Sequence, residues 1–192
     1  MKALKPIRTA IVVFVFWTVV VGGLYPLLMT GVGAALFPRK TQGSLVTRDG
    51  AVVGSRLIAQ DFQGDVYFHP RPSAVKYDPT SSGASNWGWT SSDLKKAYDQ
   101  RKADWEKAHG PGDPPMDMLF ASGSGVDPDI SPESAEIQAK GVASARHLDA
   151  QKAQQLLALV HTFEKDPQLG FLGEPRVNVL ALNLALDKEF PK

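Results

Sequence analysis

The stretch with the clearest potential for chemistry is a Ser-Gly-Ser-Gly run, Ser122 to Gly125, closely followed by Asp127 and Asp129. Its backbone N–H groups could cradle an anion, and the two carboxylates could hold a cation. The run lacks the Gly-Lys-Ser/Thr sequence that gives a phosphate-binding loop its lysine and its magnesium ligand. Such runs also form tight turns between packed elements, because glycine accepts strained backbone conformations. The sequence favours the tight turn over the ligand site.

The remaining candidate residues form no catalytic pattern. The four histidines, at positions 69, 109, 147 and 161, make neither an HxH nor an HxxxH pair, which metal sites normally use. No serine lies in a GxSxG elbow, and no catalytic triad or paired-carboxylate motif occurs in the sequence. The absence of cysteine excludes disulfides and a thiol nucleophile. We therefore expect no catalytic residue, no metal ligand and no hydrolase activity in this chain.

Arg71 lies between Pro70 and Pro72, close to Tyr67 and Phe68. Arginine and aromatic residues are enriched in interface cores, so Arg71 could anchor a partner. It could equally stack within its own loop, and the sequence leaves both interpretations open. The loop-like stretch around it, residues 70–90, is about twenty residues long, and such loops in compact domains are usually functional.

An uncharged apolar stretch from Thr9 to Pro38 predicts one transmembrane helix over residues 10–37. A helix rises about 1.5 Å per residue, so this stretch exceeds the roughly 30 Å hydrocarbon core of a membrane. A cleaved signal peptide is the alternative, but its apolar core is usually only about 7–15 residues long. Pro26 removes one helix hydrogen bond and can kink the helix. The preceding residues, 1–9, are expected to be a short cytoplasmic N-terminus.

Small residues in this helix recur four positions apart. The pairs are Thr18 with Gly22 and Gly31 with Ala35, and Gly23 lies beside the first pair. Such spacing lets a second helix approach closely, so these residues predict a helix contact within the membrane lipid. Small residues are also simply common in membrane helices, and this explanation stays open.

Residues 38–192 are long enough to form one soluble domain with its own core. All 20 acidic residues and 18 of the 21 basic residues follow Pro38, so this part has a formal charge of −2. A net charge this small does not indicate a basic surface that would bind nucleic acid. We therefore expect no nucleic-acid partner.

Short strands are expected early in this domain. Asp49-Gly50 between two β-prone runs is typical of a hairpin turn, because glycine accepts the positive φ that the turn needs. The candidate strands are Leu45–Thr47, Ala51–Val53 with an extension through Leu57 and Ile58, Val66–Phe68 and Met116–Ala121.

Helices are expected later. The first candidate is Ser91–His109, capped by Thr90 and closed by Gly110. The second begins at Ser131 and Pro132 and ends at about His147. The third is capped by Asp149 and has its core face formed by Leu156, Leu159, Val160 and Phe163. The last segment, Arg176–Phe190, is predicted as a helix capped by Asn178, although Val177–Leu182 could equally be a strand. The predicted fold is a single N-terminal transmembrane helix plus a mixed α+β soluble domain, with short strands early and helices late.

Five stretches carry a family resemblance: GSRLIAQDF, YFHPRPSA, SSGASNW, ASGSGVDPDISPESA and VNVLALNLALD, in this order behind a helix containing GLYP. Together they resemble the C subunit of the bacterial Kdp potassium-transporting ATPase over nearly the whole chain. The resemblance implies a complex with a channel-like A subunit that carries potassium, a P-type ATPase B subunit that hydrolyses ATP, and a very small F subunit. It implies a non-catalytic member, without a cofactor of its own, that assembles and stabilises this complex. A role as catalytic chaperone that raises the affinity of the P-type ATPase for ATP is also implied.

The resemblance further implies which residues form the family signature and the surface for partners. These are Gln60, Phe62, Tyr67, Phe68, Arg71, Pro72, Ser73, Ala74, Ser82, Gly83, Ser85, Asn86, Ser122, Gly123, Ser124, Gly125, Asp127, Pro128, Asn178 and Asn183. Gln138 falls at the position of a glutamine that the resemblance implies to touch nucleotide. Ala59 and the Trp87-Gly88-Trp89 stretch depart from the family pattern.

Two placements of the soluble domain give different functions. On the outer, periplasmic face of the inner membrane, it would assemble and regulate the complex, and any effect on ATP would be indirect, through coupling across the membrane. In the cytoplasm it could act on nucleotide directly. An independent membrane-anchored ligand-binding domain is a third alternative. Basic residues at positions 2, 5 and 8 favour a cytoplasmic N-terminus, although Arg39 and Lys40 follow the helix.

We predict that Lys107 faces the cell exterior and Lys2 the cytoplasm. Because the chain has no cysteine, the Lys107→Cys and Lys2→Cys variants each carry a single thiol. In intact cells, a membrane-impermeant maleimide should label Lys107→Cys, and it should label Lys2→Cys only after the inner membrane is opened. The reverse labelling pattern would overturn this topology and favour direct contact with ATP.

Overall fold

The computed structural model of the chain describes residues 4–191. These residues fall into two compact units, with the boundary after Leu45. The first three residues of the predicted N-terminal segment 1–9, including Lys2, lie outside the described residues, and so does Lys192.

The first unit consists mainly of one apolar helix, Lys5–Leu36, which is 32 residues long. Its most apolar window has a mean hydropathy of 2.3 and is not buried against the rest of the chain. At about 1.5 Å per residue, the helix is longer than the roughly 30 Å hydrocarbon core of a membrane. Among residues 4–191 it is the one helix long and apolar enough to span a membrane, and it fits a membrane anchor.

This helix is interrupted near its middle. It consists of α1, Leu4–Val19, a π-helical turn, Val20–Leu24, and α2, Tyr25–Leu36, and the short helix α3, Pro38–Thr41, follows. The Tyr25 N–H donates to the carbonyl of Val20, five residues earlier. Pro26 has no N–H, and in a regular helix its ring would crowd the carbonyl of Gly22. The disturbance expected at Pro26 therefore takes the form of one wider turn just before it.

The predicted hairpin lies at the start of the second unit. β1, Leu45–Arg48, pairs with β2, Ala51–Ser55, across a turn at Asp49-Gly50. Both turn residues have positive φ, 52° and 80°, as this residue pair predicts. The predicted extension through Leu57 and Ile58 is wrong. The chain turns there because the Arg56 carbonyl accepts a hydrogen bond, 3.1 Å, from the Asn178 side chain.

The predicted third strand, Val66–Phe68, is wrong. Val66 lies in a turn, Tyr67 in a bend, and Phe68 has no regular secondary structure. Asn183 takes the place of a neighbouring strand: the Phe68 N–H donates to its Oδ1, and its Nδ2 donates to the Phe68 carbonyl, both at 2.9 Å. The Phe68 side chain is fully buried. A single side chain therefore fixes this backbone in the core.

The helix predicted over Ser91–His109 is confirmed as α4, Ser92–His109. Its N-cap is Ser91 rather than Thr90, because the Ser91 Oγ accepts hydrogen bonds from the N–H groups of Asp93 and Leu94. Gly110, with a φ of 87°, closes the helix by donating to the Glu106 carbonyl at 2.9 Å.

The predicted strand Met116–Ala121 is wrong, since α5, Met116–Leu119, is a short helix. Met118 and Leu119 are both buried. Successive side chains of a strand point to opposite faces, whereas this one helical turn places two neighbouring side chains in the core.

Three helices and a small sheet form the core of the second unit. The elements are β3, Asp129–Ile130, α6, Pro132–Ala145, α7, Ala150–Phe163, β4, Glu164–Lys165, β5, Arg176–Asn178, and α8, Val179–Glu189. The strand order is β3-β5-β4, and both pairings are antiparallel. Leu156, Val160, Val177, Leu182 and Leu186 have fully buried side chains. One apolar helix followed by a mixed domain, with strands early and helices later, confirms the predicted fold class.

Three helix caps lie at the residues that the sequence predicts. Ser131 accepts from the Ser134 N–H at 3.1 Å, with Pro132 in the first turn, and Asp149 accepts from the Lys152 N–H at 2.8 Å. The predicted helix capped by Asn178 is confirmed as α8. The alternative strand Val177–Leu182 is wrong from Val179 onward, since β5 ends at Asn178. β3 and β4 were not predicted, because two residues are too few to show alternation.

A polar cluster around Asp187 ties four elements of the second unit together. The Asp187 carboxylate accepts hydrogen bonds from Arg146, 2.8 Å, Tyr67, 3.1 Å, and Arg48, 3.3 Å. The Arg146 side chain is almost fully buried and also donates to the carbonyls of Val66 and Phe190. Burial raises the pKa of Asp187, but the hydrogen bonds from Arg146 and Tyr67 outweigh it, so the pKa lies below its ordinary value of 3.8.

We predict that Asp187 contributes to the loss of stability in acid. A pKa that is lower in the folded than in the unfolded chain stabilises the fold above the unfolded pKa and loses this effect as pH falls through the folded pKa. Asp187→Asn should therefore lower the free energy of unfolding at pH 7 and flatten its decline below about pH 5. Urea unfolding of the full chain at several pH values measures both effects.

The matched control is Asp166→Asn, since Asp166 is exposed and has no ion pair among the described residues. This variant should keep the wild-type dependence on pH. An Asp187→Asn curve that ran parallel to the wild-type curve would contradict the prediction.

Candidate functional site

The second unit contains a surface cavity of about 570 Å³ between α4, α6 and the segment that follows the hairpin. Its walls include Tyr67, Tyr77 and Trp105, together with His69 and His109. Volumes of about 300–1,000 Å³ with aromatic walls are typical of small-molecule sites. This cavity is therefore the first place to look for binding chemistry.

The two aromatic rings at the α4 wall are stacked. The Trp105 and His109 ring centroids are 3.9 Å apart, and the His109 Nδ1 lies 3.2 Å from the Trp105 carbonyl. Burial lowers the pKa of His109, so its ring is neutral at pH 7. This histidine contributes an uncharged, largely apolar surface to the cavity.

Two further polar side chains of the cavity, those of Tyr77 and Arg101, are hydrogen-bonded within the protein. Burial raises the pKa of Tyr77 to about 12, and its hydroxyl donates to the Arg71 carbonyl at 3.1 Å. Arg101 donates to the Leu119 carbonyl at 2.8 Å. A neutral tyrosine and a bonded arginine supply neither an activated nucleophile nor a general base at neutral pH. The cavity has room for a ligand, and Tyr77 and Arg101 serve its structure.

Gln138, the predicted nucleotide contact, lies in the wall of this cavity. Its side chain is buried, and its amide pairs with the backbone of His69 through two hydrogen bonds. The His69 N–H donates to Oε1 at 2.7 Å, and Nε2 donates to the His69 carbonyl at 3.1 Å. In this arrangement Gln138 positions His69 at the cavity. Its contact with nucleotide stays a prediction.

Three stretches of the family signature, 71–74, 82–83 and 122–128, meet in one set of interlocked loops. The Ser122 N–H donates to the Pro72 carbonyl at 3.0 Å, and the Ser73 hydroxyl donates to the Gly125 carbonyl at 2.6 Å. The Ser124 carbonyl accepts from the Gly83 N–H at 2.8 Å and from the Ser82 hydroxyl at 3.0 Å. The serines and glycines of the 122–125 run thus bind other loops of the same chain.

Gly125 is the residue of this run that no other can replace. Its φ is 69°, in the left-handed region. A Cβ here would lie 2.5 Å from Val75 Cγ2 and 2.7 Å from the Gly83 carbonyl oxygen. Both the backbone conformation and the close packing therefore require glycine.

Arg71 and Asp127 form an ion pair across these loops, with 3.1 Å between Arg71 Nη1 and Asp127 Oδ2. Both side chains are about one-third exposed. Asp127 also accepts from the Asp129 N–H at 3.1 Å, and the Pro128 carbonyl accepts from the Val179 N–H at 3.0 Å. The pair links the loops to β3 and α8, and the exposed part of Arg71 remains at the surface.

The remaining signature residues make other contacts or are exposed. Gln60 donates to the Val53 carbonyl at 2.8 Å, and Phe62 packs on Tyr67 with ring centroids 5.5 Å apart. Asn86 has a φ of 54° and donates to the Ala84 carbonyl. Ala74 and Gly123 are exposed, and Ser85 is half-buried. Phe68, Asn178 and Asn183 serve the core, as described above.

In the anchor, the Thr18 hydroxyl donates to the Phe14 carbonyl at 2.8 Å, within its own helix. Gly22, Gly31 and Ala35 are exposed, and Gly23 is half-exposed. No atom lies within 4 Å of the position that a Gly31 Cβ would take. The predicted helix contact has space for a partner, and it stays a prediction.

The sequence analysis named Tyr67 as a signature residue but missed the other three members of its cluster, Arg48, Arg146 and Asp187. These residues are up to 139 positions apart, and no local pattern joins them. Among residues 4–191, no group of three or more His, Asp or Glu side chains could hold a metal ion.

Comparison with known proteins gives consistent results. The family model described as the c chain of the K⁺-transporting ATPase, KdpC, matches residues 7–188. The potassium-transporting ATPase KdpC subunit from Citrifermentans bemidjiense is 49% identical to this chain, over 96% of this chain and 97% of its own length. The KdpC subunit from Rhodospirillum rubrum is also 49% identical, over 98% of both chains. The KdpC subunit from Geobacter sulfurreducens is 47% identical over the full length of both chains.

We predict that Gln138→Ala destabilises the second unit by roughly 1–3 kcal/mol, because it leaves the partly buried N–H and carbonyl of His69 without their partner. The matched control is Gln154→Ala, since Gln154 is exposed on α7 and should change stability by less than about 0.5 kcal/mol. Urea unfolding of the full chain, followed by tryptophan fluorescence, gives both values. Equal stability of the two variants would contradict the structural role of Gln138.

Proposed function

We propose a function from one premise: this chain belongs to the KdpC family, the c chain of the K⁺-transporting ATPase. It is therefore one of the subunits of a potassium-transporting ATPase complex. We propose that it is a non-catalytic accessory subunit that assembles and stabilises this complex in the inner membrane. Its proposed partners are the potassium-channel-like subunit, the P-type ATPase subunit and the very small subunit that completes the complex.

The observation that carries this proposal is the unburied anchor. The helix Lys5–Leu36 has apolar side chains all around it, and none of its most apolar window is buried. In a bilayer such a helix meets only lipid or other membrane helices, and close helix contacts form where small residues let backbones approach. Gly31 and Ala35 offer such a place, because both are exposed on this helix.

We propose that any effect on the ATP affinity of the P-type ATPase subunit is indirect. Both polar atoms of the Gln138 amide bond the His69 backbone, so direct contact with nucleotide would require breaking a buried pair. The chain also lacks a phosphate-binding loop. The basic residues ahead of the anchor favour an external domain, which would act on a cytoplasmic nucleotide only by coupling across the membrane.

We predict that Gly31→Leu and Ala35→Leu weaken association with the other subunits. A larger side chain at a close helix contact separates the two backbones and loses their packing. Co-purification of the complex through a tag on this chain should recover at least about fivefold less of the other subunits. A Gly31 Cβ meets no atom of the chain itself, so a loss would report on a partner.

The matched control is Ala10→Leu, which makes the same size change on the same helix but has Phe14 rather than a small residue four positions later. This variant should retain the wild-type recovery. Undiminished recovery for both Gly31→Leu and Ala35→Leu would mean that this part of the helix faces lipid.

A further inference from the structure

A turn after β4 exposes three large apolar side chains at the surface of the second unit. The exposed fractions are 84% for Leu169, 78% for Phe171 and 55% for Leu172. Scattered single apolar residues are common on protein surfaces, but clustered ones mark interaction sites. We call residues 168–173 the apolar turn.

The apolar turn has a defined backbone structure. Gln168 and Leu172 are paired by two hydrogen bonds, each of 2.9 Å, between their backbone groups. Leu169 has a φ of 56°, a left-handed conformation that is unfavourable for a leucine side chain. The hydrogen bonds therefore hold Leu169 and Phe171 outward in a fixed arrangement. A fixed arrangement lowers the entropy cost of binding a partner.

An acidic groove of about 650 Å³ lies beside the apolar turn and shares Gln168 and Leu172 with it. Its charged lining residues are Arg71, Asp117, Asp127, Asp129, Glu174 and Arg176, with a formal charge of −2. The two arginines pair with Asp127 and Asp129, at 3.1 and 3.3 Å. Asp117 and Glu174 have no ion pair among the described residues. Both Asp117 oxygens accept hydrogen bonds, from the Ser131 N–H and the Ser134 hydroxyl, so Glu174 is the carboxylate that the groove offers to a cationic group.

We propose that the apolar turn and the acidic groove form one docking surface for another protein subunit of the complex. The segment that docks presents apolar side chains to Leu169 and Phe171 and a lysine or arginine to the groove. The combination of an apolar anchor with a complementary charge favours this partner. The inference rests on the proposed function, since it assumes that this chain holds the complex together.

The same charges argue against two other occupants. The groove beside the turn carries a formal charge of −2 and includes Glu174, so the negative surface of an anionic membrane would repel it. A second copy of this chain would bring its own acidic groove, and the like charges would oppose pairing. A basic and apolar protein segment meets neither obstacle.

Photo-cross-linking in the assembled complex tests the docking surface directly. Phe171 is replaced by p-benzoylphenylalanine, and the control places the same group at Leu57, which is 60% exposed and lies outside this surface. Irradiation of the purified complex should join position 171, but not position 57, to another subunit, which mass spectrometry identifies. A cross-link from position 171 to lipid or to a second copy would overturn the proposal. So would no cross-link in an intact complex.

Substitutions test the two halves of the surface. Leu169→Ser with Phe171→Ser should release the other subunits from the tagged chain about tenfold faster, whereas Leu57→Ser should not. Glu174→Lys should also speed release, whereas Glu189→Lys, the same change at an exposed site on α8, should leave it unchanged. Thermal unfolding checks that each variant is folded, and wild-type release by a folded double variant would overturn the proposal.

The variants also separate this inference from the proposed function. If Ala35→Leu releases the subunits and the apolar-turn variants do not, the docking surface is wrong and the proposed function stands. If the apolar-turn variants release them and Ala35→Leu does not, the surface stands and the helix contact is wrong. If neither Ala35→Leu nor the apolar-turn variants release the other subunits, the docking surface and the proposed function are both overturned.

Discussion

Two amide side chains bond the backbone of two consecutive residues, and the second unit is arranged around these pairings. Asn183 on α8 pairs with both backbone groups of Phe68, and Gln138 on α6 pairs with both backbone groups of His69. A buried backbone N–H or carbonyl without a partner costs about 1–3 kcal/mol. The pairings therefore let an irregular segment cross the core where a strand would otherwise be required.

This constraint also shapes the cavity and the interlocked loops. Because the His69 backbone is fixed, its ring stays in the cavity wall that Trp105 and His109 complete. Three residues later, the Pro72 carbonyl accepts from the Ser122 N–H, which brings the 122–128 stretch onto the same segment. The signature residues are thus mostly connections between segments that are distant in sequence, which suits a subunit whose surface must keep its shape for partners.

Local signals in the sequence predicted the elements whose ends depend on neighbouring residues. Asp49-Gly50, Ser131 and Asp149 were placed correctly, because a turn or a cap is completed within a few residues. The segments Val66–Phe68 and Met116–Ala121 were wrongly predicted as strands. In the first, the bonding partner is Asn183, 115 residues away, and no local pattern shows it. For Gln138 the family resemblance indicated the position, but only the structure shows what its amide contacts.

The sequence by itself determined the anchor, the caps at Ser131, Asp149 and Asn178, and the family, because each depends on a continuous stretch or on residue identity in order. An uncharged run longer than the hydrocarbon core is unfavourable in water and favourable in lipid whatever the rest of the chain does. The tertiary structure alone decided which residues meet Asp187 and which apolar side chains stay exposed on the apolar turn. Burial and ion pairing are properties of contacts between distant segments, so Leu169 and the buried Leu182 look alike in the sequence and differ only in the fold.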